Sequence, residues 1–293
     1  MPLDCDWTGR RIGAGETLAP ATARMSTAGS GPVARTSLSP AMHPYLVTER
    51  SQPIAIAHRG FSARHPENTM AAFAAAVDIG CLYVETDVHA TADGMLVAFH
   101  DDRLDRITDR AGVISELDWS EVRKARVGGE ERIPLLEEVL TTWDSVRVNI
   151  DPKSDGAVEP LLAILARLDV WDRVCVGSFS GSRLAGMRGT AGDRLCTSMG
   201  PLDVVRLRLA SLGLPVGTFA ANCVQVPPRE YGLTIVDRRF MRAARSRAMP
   251  VHVWTINDEA EMHRFLDIGV DGIMTDEVEV LKRILIGRGL WPD

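Results

Sequence analysis

From Pro53 onward the hydrophobic pattern of the chain switches repeatedly between two periods. Short apolar runs rich in Val, Ile, Leu and Ala predict strands over 54–57, 82–88, 95–99, 146–150, 174–178, 195–198, 223–226, 251–255 and 272–275. Between them, apolar residues recur three and four apart. This spacing predicts helices over 67–79, 134–140, 157–168, 182–188, 202–212, 236–248, 259–266 and 278–286. Gly80 stops the first helix, Pro134 opens the second, and Asp93-Gly94 marks a hairpin. A polar stretch over 101–130 holds one short helix, near 119–125. Alternating strands and helices imply a parallel sheet with helices outside, and about eight such units imply closure into a TIM-type (β/α)8 barrel. An open doubly wound sheet is the runner-up, but no GxGxxG follows the first strand.

Residues 1–50 break this pattern. Gly, Ala, Ser, Thr and Pro dominate, without apolar periodicity, so the segment cannot bury enough surface to offset its ordering entropy. The expected organisation is a disordered tail over 1–50 and one barrel domain over 51–293, with Met25 and Met42 as alternative starts. A hydrophobic content of 45% allows a full core. The net charge of −6 argues against a nucleic-acid partner. No apolar run is long enough to span a membrane, and the first 25 residues carry Asp4, Asp6 and Glu16 with no apolar signal core, so cytoplasmic residence is expected. The five cysteines, Cys5, Cys81, Cys175, Cys196 and Cys223, form no CxxC and read as reduced structural thiols. Association into a homo-oligomer is left open.

Candidate chemistry falls where strands end. His58, Glu85, Asp87, Asp151, Ser178, Gln225, Trp254 and Asp276 all sit at or near C-terminal strand ends, which converge on one mouth in a barrel. Glu85 and Asp87 are two apart, so both carboxylates face the same way and repel each other unless a cation lies between them. Oxygen donors suit a hard ion, Mg²⁺ or Ca²⁺, and Asp151 offers a third carboxylate. Arg59 and Lys153 make the surroundings positive enough for an anionic phosphate diester. His58 and His100 each end a strand-like run, and histidine suits proton transfer near neutral pH. His89 shares the face of Asp87 and is a candidate support for the site; His43, His65, His252 and His263 read as structural or surface residues.

Together the segments HRG (58–60), PENT (66–69), ETDVH (85–89), FHD (99–101), VWTIND (253–258) and GVDGIMTD (269–276) resemble the glycerophosphodiester phosphodiesterase family. The resemblance runs from about Ile54 to the last helix. It implies a TIM barrel, one divalent cation (Mg²⁺ or Ca²⁺), and hydrolysis of small glycerophosphodiesters to glycerol 3-phosphate and an alcohol. By matching motif it implies His58 and His100 as the acid/base pair, Glu85 and Asp87 as metal ligands, and Arg59 as a phosphate ligand. Glu67 would lie near the metal–phosphate site, and Trp254 would line the glycerol pocket. It also implies attack by the substrate's own glycerol hydroxyl, through a cyclic phosphate. Where the family has a Glu followed by Lys on the third main strand, this chain has Asp151, Pro152 and Lys153, one methylene shorter. A lysophospholipid or another lipid-derived diester is the alternative substrate.

Overall fold

The structure is a computed structural model and describes residues 42–48 and 52–291. Eight parallel strands form its centre: β1 (Ile54–Ala57), β2 (Tyr83–Ala90), β3 (Arg147–Pro152), β4 (Val174–Val176), β5 (Cys196–Thr197), β6 (Val224–Val226), β7 (Val251–Val253) and β8 (Gly272–Thr275). They run in the order β5-β4-β3-β2-β1-β8-β7-β6. A parallel bridge between Ser198 and Cys223 joins the two ends, so the ring is closed. Helices α1 (Met70–Asp78), α2 (Leu136–Thr142), α3 (Val158–Leu168), α4 (Gly181–Ala191), α5 (Pro201–Ala210), α6 (Arg238–Arg245), α7 (Glu259–Ile268) and α8 (Val278–Gly287) follow the strands in turn. The expected (β/α)8 barrel is the observed fold.

The period of two sorts the strand residues. Ala55, Ala57, Val84, Val88, Val148 and Ile150 face the helices and belong to the large outer core. Ile54, Ile56, Tyr83, Cys175, Cys196, Cys223 and Met274 fill the barrel interior. Continuing the interior row of β2 beyond Tyr83 leads to Glu85 and Asp87, at the mouth.

Three expectations shift. The run 95–99 is a strand over Leu96–Ala98, but it pairs antiparallel with the end of β2 (Val88 with Ala98) and stays outside the ring. The Asp93-Gly94 turn reverses the chain there, and only a longer crossover could bring it back parallel. Pro134 does not open α2: its carbonyl accepts from the Ala98 N–H at 3.0 Å, which keeps it extended. The helix starts at Leu136 instead, where the Glu138 side chain accepts from the Leu135 N–H at 3.0 Å. The polar stretch after 100 builds its own small core from Val97, Phe99, Leu104, Ile114, Val122, Ala125, Val127 and Ile133.

The tail boundary also moves. Pro44–Leu46 form a 3₁₀ turn whose Tyr45 and Leu46 are buried with the barrel interior. Tyr45 meets Tyr83 edge-on at 5.4 Å between ring centres, and its carbonyl accepts from the Tyr83 hydroxyl at 3.1 Å. His43 fixes the turn by accepting from the Tyr45 N–H at 3.2 Å. Two large apolar side chains and a capping histidine are enough to close the barrel floor, opposite the mouth. The rest of the expected tail, 1–41 and 49–50, lies outside the described residues.

Candidate active site

The turn after β1 sets the site's first wall. Arg59 and Gly60 have φ of 56° and 81°. For Arg59 this left-handed backbone costs roughly 1 kcal/mol. It turns the Arg59 N–H onto Glu85 Oε2 at 3.0 Å. Gly60 is needed for space as well as conformation, because a Cβ there would sit 2.7 Å from the Ala72 carbonyl carbon of α1. Asn68, also left-handed at φ 56°, donates to Asp87 Oδ2 at 3.1 Å and accepts from the Thr86 hydroxyl at 2.8 Å. Helix α1 therefore starts only after Thr69, whose hydroxyl accepts from the Ala72 N–H.

Glu85 and Asp87 are 4% and 2% exposed. Burial, then the neighbouring Asp87 charge, pushes the Glu85 carboxyl up to about 7. Asp87 goes the other way. Burial opposes its charge, but Lys153 and Arg59 outweigh it and hold it below the ordinary carboxylate range. Lys153 Nζ lies 2.6 Å from Asp87 Oδ1 and 2.8 Å from Asp151 Oδ2. Arg59 Nε lies 3.2 Å from Asp87 Oδ2, without hydrogen-bond alignment. Asp151 stands directly beside Asp87 in the β2–β3 register, and Lys153 Nζ bridges their carboxylates.

Each of the two histidines is tied by Nδ1 to a carboxylate. His58 Nδ1 is 2.7 Å from Asp276 Oδ1, and His100 Nδ1 is 2.7 Å from Asp101 Oδ1. Asp276 is held down at about 2: burial opposes this, but hydrogen bonds from His58, Ser62 and Asn257 win. Asp101 is also held at about 2, first by Arg106. Both carboxylates are ionised and accept only, so both Nδ1 atoms must carry the proton. Nε2 is then the unprotonated nitrogen of each neutral ring. His58 Nε2 is 3.9 Å from Glu85 Oε2. Burial alone would lower the His58 pKa, yet the Asp276 bond and the Glu85 charge carry it above the ordinary value.

His100 joins the acids through a chain of ion pairs. Asp101 binds Arg106 at 2.5 Å, Arg106 binds Glu67 Oε1 at 2.6 Å, and the same oxygen accepts from Arg59 Nη1 at 3.0 Å. Glu67 thus holds two arginines. The backbone of His100 is held too: His89 Nε2 is 3.1 Å from its carbonyl. Trp254 stands apart from this network, half-buried, with the 69%-exposed Phe179 edge-on at 5.7 Å between ring centres.

The structure brings His58, Arg59, Glu67, Glu85, Asp87, Asp151 and Lys153 into one network, with His100 linked at its edge. Sequence reasoning missed Ser62, Asn68, Asp101, Arg106 and Asn257 as anchoring groups. It placed Asp276 at the mouth without seeing that it anchors His58. The signal available was modest: Asp101 adjoins His100, and Asn68 lies inside PENT.

A mouth that gathers two anchored imidazoles, buried acids and cations has the groups that acid–base chemistry on an anionic ester would use. Comparison with known proteins gives the class. The family model for the glycerophosphoryl diester phosphodiesterase family matches residues 58–280. A probable glycerophosphodiester phosphodiesterase 2 of Mycobacterium tuberculosis is 38% identical over 81% of this chain and 92% of its own. A protein named lysophospholipase D GDPD1, from Homo sapiens, is 28% identical over 78% of this chain and 85% of its own. The crystal structure of a putative glycerophosphoryl diester phosphodiesterase from Silicibacter pomeroyi superposes with a TM-score of 0.71 at 25% identity, covering 85% of this chain and 98% of the other. The chain belongs to the glycerophosphoryl diester phosphodiesterase family. It is an enzyme that hydrolyses glycerophosphodiesters. No helix among the described residues is long and apolar enough to cross a membrane.

Proposed function

We propose that this enzyme cleaves small glycerophosphodiesters to glycerol 3-phosphate and an alcohol, using His58 and His100 as the proton carriers and one divalent cation, Mg²⁺ or Ca²⁺, at Glu85, Asp87 and Asp151. The observation that carries the reading is the pair of Nδ1–carboxylate anchors, one at each edge of a buried acid pair. With Nδ1 protonated, one Nε2 can take the proton of the attacking hydroxyl while the other gives a proton to the departing alkoxide. Arg59 and Lys153 lie beside Asp87 and are suited to hold the phosphate oxygens, with Glu67 keeping Arg59 in place. Trp254 is suited to cover the apolar face of the glycerol.

The all-oxygen chemistry of the donors suits a hard cation, with Lys153 Nζ lying between the Asp87 and Asp151 carboxylates. Two buried carboxylates lie on one face with a third beside them, and burial and the Asp87 charge raise Glu85 despite the nearby His58, Arg59 and Lys153, a strain that a cation would relieve. Bound there, a divalent ion would act as a Lewis acid toward the phosphoryl oxygen. The four free, buried cysteines among the described residues suit a reducing, cytoplasmic setting.

The test is turnover of glycerophosphocholine, glycerophosphoethanolamine, glycerophosphoglycerol and glycerophosphoinositol with Mg²⁺ or Ca²⁺ after exhaustive chelation, read as glycerol 3-phosphate release. His58→Ala and His100→Ala should each lose turnover by about 10²–10⁴-fold with unchanged circular dichroism. Near-normal rates in either variant, or full activity with no metal present, would refute the reading. A lysophospholipid substrate is the second reading. Phe179, exposed beside Trp254, offers an acyl chain an apolar landing next to the mouth. Faster turnover of a lysophospholipid than of glycerophosphocholine would favour it.

A further inference from the structure

Beneath the mouth, the barrel interior contains a feature that diester hydrolysis does not use. Cys175 on β4, Cys196 on β5 and Cys223 just before β6 all point inward, and their sulfurs lie within 4.8 Å of one another. All three are completely buried, and the Cys175 and Cys223 sulfurs are 3.8 Å apart. Two sulfurs on one tetrahedral zinc, each about 2.3 Å from the metal, lie about 3.8 Å apart.

Two further atoms mark the place. The Tyr45 hydroxyl and His252 Nε2 are buried polar atoms without a hydrogen-bond partner among the described residues. A buried hydroxyl or imidazole nitrogen left unpaired is costly, and so calls for a ligand. Both lie within electrostatic reach of the sulfurs. Burial pushes the Tyr45 hydroxyl well above the phenol range, and charge on Cys175, Cys196 and Cys223 would push it further. His252, lowered by burial, feels the charge of Cys223. The three thiols hydrogen-bond one another: bonds from Cys175 and Cys196 lower the Cys223 thiol, while burial raises the other two.

We propose that Cys175, Cys196 and Cys223 form a three-thiolate site for a soft d¹⁰ cation of the zinc class, closed from below by Tyr45. The site is separate from the carboxylates of the mouth in both place and chemistry, because soft sulfur donors and hard oxygen donors select different ions. Binding displaces the thiol protons: each S–H loses its proton to solvent and each sulfur gives a lone pair to the metal, with no change of oxidation state. The floor turn at Pro44–Leu46 blocks direct entry, so the ion is captured as the chain folds.

Cadmium is the probe, because its thiolate complexes absorb in the near ultraviolet and its carboxylate complexes do not. The full chain is unfolded in denaturant with a phosphine reductant, refolded with Cd²⁺, and passed through a chelating column. The expected result is about one retained equivalent of cadmium with thiolate-to-cadmium absorption. In Cys196→Ala, retained cadmium should fall about tenfold or more, while diester turnover in Mg²⁺ stays near that of the parent. Wild-type protein that recovers activity but shows no thiolate absorption overturns the proposal. So does a Cys196→Ala or Cys175→Ala variant that retains the absorption undiminished. Because the wild-type measurement stands alone, a variant that fails to fold does not shield the idea.

Discussion

Glu85 is an acid whose ionisation works against the fold that holds it. Its carboxyl is 4% exposed, faces Asp87 on the same side of β2, and is raised from an ordinary 4.5 to about 7. A group raised in the folded state stabilises that state only while it stays protonated. Its contribution is complete below 4.5, declines as the pH rises, and is lost once the pH passes about 7. The distance from 4.5 to about 7 corresponds to roughly 3 kcal/mol. Replacing Glu85 by Gln keeps an oxygen for the Arg59 N–H and removes the ionisation. The metal-free Glu85→Gln protein should therefore be more stable than its parent by roughly 3 kcal/mol at pH 8. For a chain of this size that is about 6–12 °C in Tm. The gain should shrink toward zero by pH 4.5, while diester turnover drops by about a hundredfold or more. Paired melts of chelated protein at pH 8 and 4.5 decide the matter. If the Gln variant is no more stable at pH 8, or gains equally at both pH values, burial and the Asp87 charge are not what holds Glu85 protonated.

Asp276 anchors His58 from 218 residues away, with Ser62 and Asn257 holding it in place. Asp276→Asn should lower kcat by about 10²–10⁴-fold with a smaller change in KM, because an amide can hold the wrong tautomer of the ring; an unchanged kcat would remove the anchor from the mechanism. Tyr45→Ala empties a fully buried site in the barrel floor and should cost about 3–5 kcal/mol of stability in denaturant melts, leaving KM for glycerophosphodiesters near normal. A loss under about 1 kcal/mol would make the floor turn peripheral.

The barrel was legible because a parallel sheet is buried on both faces, so each strand appears as a compact apolar run and each crossover as a helical period. Gly272–Thr275 and Ile54–Ala57 match their expected bounds for that reason. Pro134 misled because proline favours both a helix start and an extended strand neighbour, and only the Ala98 N–H decides between them. The acid pair could be read from the period of two. The anchors could not, since Asp276, Asn257 and Asn68 lie in loops that reach their partners only after the ring closes. Loop side chains follow no repeat, and only the assembled fold shows what they hold. Tyr45 and Leu46 were hidden differently: two apolar side chains in a stretch of small residues carry no periodicity, yet two suffice to fill a barrel floor.

That floor changes where the catalytic unit begins. The recognisable motifs start at residue 58 and the first strand at Ile54, whereas the interior is sealed by a turn centred on Tyr45. A version trimmed to its first strand would keep all eight staves and every mouth residue, yet let water rise through the bottom of the cask.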